Sequence, residues 1–364
     1  MISDIDGKFL LNEVPAGSIL EISYIGYDNR EIKLKDEAPL TVILTENSTL
    51  LEELVVIGYG SVRKRDLTGA VSQINADQIQ KGPVTNILQS VQGRISGFHV
   101  TPSSGQPGAS TDVLIHGTQS INGTNAPIYV IDGTISENIN NLNPQDIETF
   151  TVLKDASTTA IYGPRGANGV VLITTKRGKA GKIKIDAKVE TTYNTRTVTP
   201  KFEDGFTYAS LMNESRITRN NEAVYKPEEL DILRLGLDTD LYPNVDWMDM
   251  LLKDGAWSNR INLNMSGGGT TARYFVSASY VKEDGMYNTD ESLKDDYNTN
   301  AAYHRWNYRL NTDIDITKTT LLKVGVAGFL SKRNSPGLGD GDVWGELFGY
   351  NPIKTPVMYS NGYI

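Results

Sequence analysis

The chain has 364 residues and a formal net charge of −9, and it carries no basic stripe interleaved with aromatic side chains, which argues against nucleic acid as a partner. Its 39% hydrophobic and 22% charged content, with 34 glycines, is typical of a folded, loop-rich chain of two or three domains. With no cysteine and only three scattered histidines, none of them in an HExxH or GxSxG motif, the sequence predicts no enzyme, no cofactor and no metal site.

Residues 1–46 have the pattern of short strands joined by turns. The pair Asp6-Gly7 is a hairpin signal, and apolar segments follow at residues 19–25, 31–34 and 40–44. This pattern predicts a β-sandwich. A sandwich that began with these strands would present an unpaired edge strand. We therefore expect it to be truncated, with its first strands lying before residue 1.

Residues 47–65 have the character of a linker that contains one apolar stretch. Gly58 and Gly60 would weaken a buried strand at this place, although one further core strand is the plainer interpretation. A Val- and Ile-rich extended segment between two domains suits β-augmentation, in which its backbone pairs with the sheet edge of another protein. The residues predicted to bind that partner are Leu54, Val55, Val56, Ile57, Gly58 and Tyr59.

Residues 66–179 alternate helix and strand signals and predict a compact α+β domain. A helix is expected over residues 85–97, with Leu88, Val91 and Ile95 on one face. Strands are expected at residues 112–115, 127–131, 148–153 and 169–175.

Two further helix starts are expected in this domain. Asn143 followed by Pro144 predicts one of them, and Asp155 is expected to cap a short helix over residues 156–162, which the following glycine ends. The run GPRGANG at residues 163–169 has the glycine content of a phosphate loop. It follows a helix and precedes a strand, however, which is the reverse of the order that phosphate binding requires, so tight turns are the favoured interpretation.

Residues 180–364 change to five long strands in which apolar and polar residues alternate. In the first strand Ile183 and Val189 lie on one face, and Lys184 and Asp186 lie on the other. The alternation recurs around residues 261–265, 274–280, 306–316 and 322–330. Strands of this length exceed those of most soluble proteins and reach the roughly 9 to 11 residues of a membrane-spanning β-strand.

The connections between these strands alternate in length. Short turns are expected at residues 267–271 and 317–320, whereas residues 198–258 and 284–304 form long polar connections. Short turns on one side and long loops on the other are typical of an outer-membrane barrel. A soluble sandwich is the alternative, because alternation alone does not distinguish a lipid-facing side from a core. Five strands do not close a barrel, so we expect this one to be incomplete at residue 364.

A series of ordered motifs resembles the SusC/RagA family of TonB-dependent outer-membrane receptors. The series comprises PIYVIDG (127–133), VLKDA (152–156), IYG (161–163), RGANGV (165–170) and TTK (174–176). In addition, residues 54–59 resemble the family's TonB box. The signature residues to which the resemblance gives a structural or gating role are Asp132, Gly133, Lys154, Asp155, Gly163, Arg165, Gly166, Asn168 and Gly169.

The resemblance implies a mixed fold in four parts. These are a partial carboxypeptidase-regulatory-like β-sandwich (1–46), a TonB-box linker (47–65), an α+β plug (66–179) and the first strands of an antiparallel transmembrane β-barrel (180–364). It also implies a place in the bacterial outer membrane, with the sandwich and the plug on the periplasmic side and lipid around the barrel.

The resemblance implies TonB-dependent import of a nutrient as the function, with the plug as the gate. TonB, with its inner-membrane energising complex, would bind residues 54–59 and transmit proton-motive force to the plug. A SusD-like surface lipoprotein would cover the barrel. The ligand would be a glycan, such as an oligosaccharide, or a peptide. A plug-type binding or signalling module without transport is one alternative, and a non-functional remnant of a split gene is another.

Two positions depart from the family pattern. His116 stands where the family usually has an arginine, which puts an ion pair between plug and barrel at that place in doubt, and Pro164 replaces a residue that is usually serine. Near the end of the chain, the aromatic residues Trp344, Phe348 and Tyr350 suit stacking on sugar rings, packing within their own loop, or contact with the lipoprotein.

Overall fold

A computed structural model gives the fold of the protein in two compact units, Met1–Val71 and Ser72–Ile364. It describes residues 18–22, 30–34, 42–43, 54–57, 60–63, 71–80, 82, 85–115, 117–118, 121, 124–155, 159–289, 298–317, 319–338 and 340–363. Within these ranges, no helix has both the length and the apolar character needed to cross a membrane. Most of the strand expected at residues 40–44 and the start of the helix expected after Asp155 lie outside the described residues.

The first unit contains two short antiparallel pairs. Strand β1 (Ile19–Ile22) pairs with β2 (Arg30–Lys33), and residues 23–25 of the first predicted apolar segment lie outside the described residues. Strand β3 (Leu54–Ile57) pairs with β4 (Gly60–Arg63), so that Ile57 lies opposite Gly60.

The second unit begins with an α+β region, residues 72–179, that we call the inner domain. Its helical segments are α1 (Ala76–Ile79), α2 (Ile87–Val91) and two 3₁₀ segments, Pro144–Asp146 and Ala160–Asn168. Its strands are β5 (Val71–Asn75), β6 (Phe98–Pro102), β7 (Thr111–Ile115), β8 (Ile128–Ile131), β9 (Thr134–Ser136), β10 (Ile147–Leu153) and β11 (Val170–Thr175). The main sheet has the order β5-β10-β11-β8-β9, in which β8 and β11 are parallel, and β6 and β7 form a separate hairpin.

One apolar core holds the inner domain together. It includes Leu88 and Val91 of α2, Phe98 of β6, Phe150 of β10 and Ile173 of β11, all of them buried. The rings of Phe98 and Phe150 meet edge to face with centroids 5.8 Å apart. Because burial of one such side chain contributes about 1.5–3 kcal/mol, this core makes the inner domain a stable body from which polar residues can project.

One predicted cap, Asn143, is present, and the helix that was expected to start at residue 85 differs in length. Asn143 accepts a hydrogen bond from the Gln145 backbone N–H at 3.2 Å, as its position before Pro144 predicts. Helix α2 stops at Val91 instead of reaching residue 97, because Gly93 and Gly97 adopt left-handed conformations with φ of 71° and 70°.

The helical segment expected to end at Gly163 continues further. Gly163 has φ 62° and ψ −154°, so it kinks the segment, and a second turn then runs from Pro164 to Asn168. Because proline is favoured in the first turn of a helix, Pro164 starts this second turn readily.

The five long strands form one antiparallel sheet, which we call the long-strand sheet. They are β12 (Gly181–Thr195), β13 (Gly255–Gly268), β14 (Ala272–Asp284), β15 (Ala302–Thr317) and β16 (Thr320–Asn334). Each pairs with the next in sequence, and β12 and β16 form the two edges. At 13 to 16 residues they exceed the predicted length.

Short and long connections lie at opposite ends of the long-strand sheet. At the turn end, β13 meets β14 and β15 meets β16 through tight turns. The long connections lie at the loop end. They contain helices α3 (Gly205–Ile217), α4 (Pro227–Leu235) and α5 (Trp247–Leu251), and α6 (Asp340–Gly349) follows β16.

The two faces of the long-strand sheet have opposite polarity. On one face the apolar residues are exposed: Ile185 is 68% exposed, Leu263 is 49% and Leu310 is 39%. The other face is polar, and it is buried on the three inner strands β13, β14 and β15. Its buried polar residues are Arg260, Asn262, Asn264, Ser277, Ser279, Arg305, Asn307, Arg309 and Asn311. A soluble sandwich buries its apolar face, so this arrangement is the reverse of the sandwich alternative and fits a membrane barrel.

Candidate functional site at the interface of inner domain and long-strand sheet

Alternate residues of β15 contact the inner domain along the length of the strand. Since side chains of a strand alternate between its faces, the odd-numbered residues share the buried face. At the loop end, the Tyr303 hydroxyl donates to Asn141 Oδ1 at 3.1 Å, and at the turn end Asp313 pairs with Arg177 at 2.5 Å. The residues of this ladder are Tyr303, Arg305, Asn307, Arg309, Asn311 and Asp313.

A buried charged cluster lies midway along this ladder. Arg309 Nε lies 3.3 Å from Asp146 Oδ2, and Arg309 Nη1 lies 3.8 Å from Asp132 Oδ2. The Arg309 side chain is 9% exposed and that of Asp146 is 3% exposed. Two carboxylates of the inner domain therefore face one guanidinium of the long-strand sheet, and the Asp146–Arg309 pair is shielded from water.

Hydroxyl and amide groups donate further hydrogen bonds to both carboxylates. Asp146 Oδ1 accepts from Ser277 Oγ at 2.5 Å and from Asn143 Nδ2 at 2.9 Å. Asp132 accepts from the backbone N–H of Thr175 at 2.9 Å and from its hydroxyl at 2.5 Å. Burial raises the pKa of Asp146 above its ordinary value, although the Ser277 hydroxyl and the Arg309 charge oppose that rise.

A second group of contacts joins the two parts at the loop end. Glu283 of β14 accepts from the Thr85 hydroxyl at 2.5 Å and from the Gly108 backbone N–H at 2.8 Å. Arg305 donates to the carbonyls of Thr85 at 2.7 Å and Asn140 at 3.0 Å. Because these donors and acceptors belong to loops of the inner domain, they fix those loops against the strands.

A cavity of about 760 Å³ opens beside these loop-end contacts. The inner domain lines it with residues 102–109 and with the amides of Asn86 and Asn140, and the long-strand sheet contributes Glu283 and Arg305. Its lining combines apolar and aromatic surface, including Leu252 and Trp344, with hydroxyl, amide and charged groups, which suits a ligand that has both apolar faces and hydroxyl or peptide groups. Several of these groups also bind the inner domain to the sheet, so a ligand here would contact the interface itself.

Gly108 allows the closest approach in this region. Its φ is +66°, and a Cβ atom at this position would lie 2.3 Å from the Tyr303 ring. We therefore expect Gly108→Ala to push residues 103–109 off the sheet and to weaken the Gly108–Glu283 hydrogen bond. The local opening free energy should fall by about 1–3 kcal/mol, read as faster amide hydrogen exchange in this loop.

Gly105→Ala is the matched control, because a Cβ atom at Gly105 would have nothing within 4 Å and the φ of this residue is ordinary. Equal exchange rates in the two variants would contradict the role given to Gly108.

The predicted partner segment is only partly described. Residues 54–57 form β3 and pair with β4, whereas Gly58 and Tyr59 lie outside the described residues. His116 lies outside them as well.

The predicted signature residues divide between the interface and internal turns. Asp132 alone joins the charged cluster, and Gly133 (φ 89°) completes the turn that follows β8. Lys154 donates to the Ser96 carbonyl, and the Asp155 carbonyl accepts from Thr159 N–H at 3.0 Å.

The remaining signature residues lie around the second 3₁₀ segment, where Gly163 forms the kink and Arg165 is exposed. Asn168 Nδ2 donates to the Thr124 carbonyl at 2.8 Å. Side chains at two glycines would collide with neighbours: a Cβ at Gly166 would lie 2.7 Å from the Thr159 carbonyl oxygen, and one at Gly169 would lie 2.6 Å from Ile115 Cδ1.

The partners of Asp132 were not predicted from sequence. Sequence patterns gave no role to Arg309, to Asp146, which shares this arginine with Asp132, or to Glu283 at the loop end. A usable signal existed in β15, where Arg305, Asn307, Arg309, Asn311 and Asp313 alternate with apolar residues. Among the described residues, no group of three or more histidine or acidic side chains could hold a metal ion.

Comparison with known proteins identifies the family. The family model described as TonB-dependent Receptor Plug Domain matches residues 63–170. TonB-dependent receptor P26 of Formosa agariphila is 37% identical over 89% of this chain and 31% of its own length. TonB-dependent receptor SusC of Bacteroides thetaiotaomicron is 36% identical over 83% of this chain and 29% of its own length.

A solved structure of the RagAB peptide importer in an open-open state agrees with these relatives. It superimposes with a TM-score of 0.66 and 27% identity, over 78% of this chain and 32% of that chain. The chain belongs to the SusC/RagA family of TonB-dependent receptors. It spans about a third of the length of the relatives it matches.

In this family, the described interface corresponds to the contact between a plug and a barrel wall. Much of the inner domain falls within the residues that match the plug domain, and the long-strand sheet has the polarity of a barrel wall. Homologous receptors are outer-membrane proteins and are not enzymes.

Proposed function

We propose that this chain supplies the plug and five wall strands of a TonB-dependent importer of nutrients across the bacterial outer membrane. In this proposal residues 1–46 are part of a regulatory-like sandwich, residues 47–65 carry the TonB box, residues 66–179 are the plug and residues 180–364 begin the barrel. The periplasm lies at the turn end of the long-strand sheet, and the cell exterior lies at the loop end.

The observation that carries this proposal is the inverted polarity of the long-strand sheet. Its apolar face is exposed over five strands, while its polar face binds the inner domain through the Arg309 cluster. A wall with lipid outside and a plug inside accounts for both faces. The outward-facing residues of β15 run from Trp306 to Ile316, a distance of ten residue steps. At a rise of about 3.3 Å per step and a strand tilt near 45°, this part of the strand spans about 23 Å of membrane.

The cavity at the loop end is the proposed ligand site. Its mixture of apolar surface with hydroxyl, amide and charged groups suits an oligosaccharide or a peptide, and it lies at the end of the sheet that the proposal places toward the cell exterior. SusC and the RagAB peptide importer are relatives, which supports the same ligand classes and a SusD-like lipoprotein as partner.

TonB is the proposed energy source, and it would bind residues 54–59 by strand pairing. Within the plug, we assign a gating role to Asp132, because its carboxylate lies between Arg309 and Thr175. The other signature residues (Gly133, Lys154, Asp155, Gly163, Arg165, Gly166, Asn168 and Gly169) are assigned to the internal turns of the plug.

Membrane embedding is tested by placing a charge on the outer face. We expect Leu310→Arg, near the middle of β15, to destabilise the protein in lipid vesicles by about 2–4 kcal/mol, measured by urea unfolding. Ile316→Arg at the turn end is the matched control and should cost about 0–1 kcal/mol. Equal effects at both depths, or no effect at Leu310, would contradict a lipid-facing surface.

Import is tested by deleting the gene in its source bacterium and offering labelled oligosaccharides and labelled peptides in parallel. The proposal predicts loss of uptake for one ligand class and its return on complementation. Unchanged uptake of both classes, with the ligand still bound by the cells, would instead favour a binding module without transport.

A further inference from the structure

A second cavity, which we call the loop pocket, lies within the long connections at the loop end. It has a volume of about 350 Å³ and is formed by residues 202–208 and 244–247 on one side and residues 347–352 on the other. It shares no lining residue with the cavity at the interface. Substitutions in the loop pocket therefore leave the lining of the interface cavity unchanged. Binding in the loop pocket can be measured separately from import, so failure of one proposal is distinguishable from failure of the other.

Aromatic rings form much of the wall of the loop pocket. Trp247 and Tyr350 meet at 82° with centroids 5.1 Å apart, and Phe202 and Phe348 meet at 66° with centroids 5.9 Å apart. Both phenylalanines are about half exposed. Rings set at steep angles to one another present several electron-rich faces to one space, which is the arrangement that holds a cation.

The chain already places an ammonium group on one of these rings. Lys354 Nζ lies 4.2 Å from the centroid of the Tyr350 ring. This contact lies within the roughly 6 Å range of cation–π attraction. The Tyr350 ring can therefore hold an ammonium group on its face, and a ligand that used the same face would have to displace Lys354, which itself lies outside the lining of the pocket.

The charges of the loop pocket have the sign that a cation requires. Glu203, Asp204 and Asp246 line it, and no lysine, arginine or histidine is among its described lining residues. Hydrogen bonds from Thr207, chiefly from its backbone N–H, lower the pKa of Asp204, so this carboxylate remains ionised at neutral pH.

Two polar groups of the loop pocket are already engaged within the protein. The only N–H of the Trp247 ring donates to the Asn351 carbonyl at 3.2 Å, and Asn244 Oδ1 accepts from the Gly205 backbone N–H at 2.8 Å. A neutral sugar needs donors as well as acceptors, whereas an ammonium group needs acceptors alone. The carboxylates of Glu203, Asp204 and Asp246 supply such acceptors, and stacking of Phe348 and Tyr350 on sugar rings stays a separate prediction.

We propose that the loop pocket binds the ammonium or guanidinium group of a ligand between its aromatic faces and its carboxylates. A basic side chain of a peptide and the amine of an amino sugar are the two sources of this chemistry. Both fit the pocket volume, and paired probes distinguish them.

The test is calorimetric titration of the full chain in detergent with Nα-acetyl-lysine N-methylamide and with its neutral Nε-acetylated form. Glucosamine and glucose form the second pair of probes. We expect the charged member of at least one pair to bind about ten times more tightly than its neutral partner, within the range of one or two cation–π contacts. Higher salt should weaken that binding.

The variant Asp204→Asn/Asp246→Asn removes two charges and keeps both helix caps, because asparagine caps helices as well as aspartate does. It should weaken binding of the charged probe at least about fivefold. Asp249→Asn removes a carboxylate that lies outside the lining and keeps the backbone N–H that donates to Asp246, so this variant should bind like the natural protein. The proposal is overturned if charged and neutral probes bind equally, if neither charged probe binds, or if the double variant binds as the natural protein does.

Discussion

Replacing Arg309 with methionine should be strongly destabilising, because it leaves the Asp146 carboxylate buried without its cation and removes the cation beside Asp132. Removal of one partner of a buried ion pair costs about 3–5 kcal/mol. Asp146 is buried nearly completely, and its remaining donors, Ser277 and Asn143, supply no charge. The loss should appear as faster amide hydrogen exchange in β10 and β11, the strands that flank these carboxylates.

The pH dependence of this variant has a definite sign. Burial raises the folded-state pKa of Asp146 above its unfolded value. A group of this kind stabilises the fold below the unfolded pKa and loses that contribution as the pH rises through the folded pKa. Arg309→Met should therefore be least stable at neutral pH and should recover in part on acidification.

Two further variants isolate the charge effect. Arg234→Met removes an exposed arginine paired with Asp231, and it should cost at most about 1 kcal/mol. Asp146→Asn combined with Arg309→Met removes the stranded charge and should be more stable than Arg309→Met alone. If Arg234→Met and Arg309→Met were equally mild, the cluster would not hold the inner domain to the sheet.

Replacing Val56 with proline should abolish TonB-dependent uptake while membrane insertion remains intact. Val56 lies in β3, the strand proposed to pair with TonB, and proline removes a backbone donor and is excluded from regular strand pairing. Uptake of a labelled ligand and the amount of receptor in outer-membrane fractions are the two measurements.

Val62→Pro is the matched control, because β4 pairs with β3 in this structure and Val62 lies opposite Val55. It breaks the same hairpin outside the predicted box, and uptake should persist. Loss of uptake in both variants would mean that the hairpin is required, and uptake by Val56→Pro would mean that the box lies elsewhere.

Features governed by neighbouring residues were predictable from the sequence. The Asn143 cap depends on Pro144 beside it, and the long strands are recognisable from alternation with a period of two. The helices in residues 196–254 could also have been predicted. Pro227 stands at a first helical position, and Gly236 ends the same helix in a left-handed conformation.

The contacts between the inner domain and the long-strand sheet could not be predicted from neighbouring residues. Asp146 and Arg309 are 163 residues apart, and no local pattern links them. Their contact depends on which face of β15 meets the inner domain and on the register of the sheet. Period-two alternation gives the two faces but does not say which of them is covered, and that choice separates a soluble sandwich from a membrane wall.

Labelling of a cysteine at position 277 in living cells tests most directly whether the inner domain is a gate that TonB moves. The chain contains no cysteine, and Ser277 is 2% exposed against Asp146, so Ser277→Cys places one thiol inside the closed interface. We predict that a membrane-impermeant maleimide labels this thiol only when ligand and proton-motive force are both present, and that Val56→Pro prevents the labelling. Equal labelling with and without energy, or labelling that Val56→Pro leaves unchanged, would contradict a TonB-driven gate at this interface.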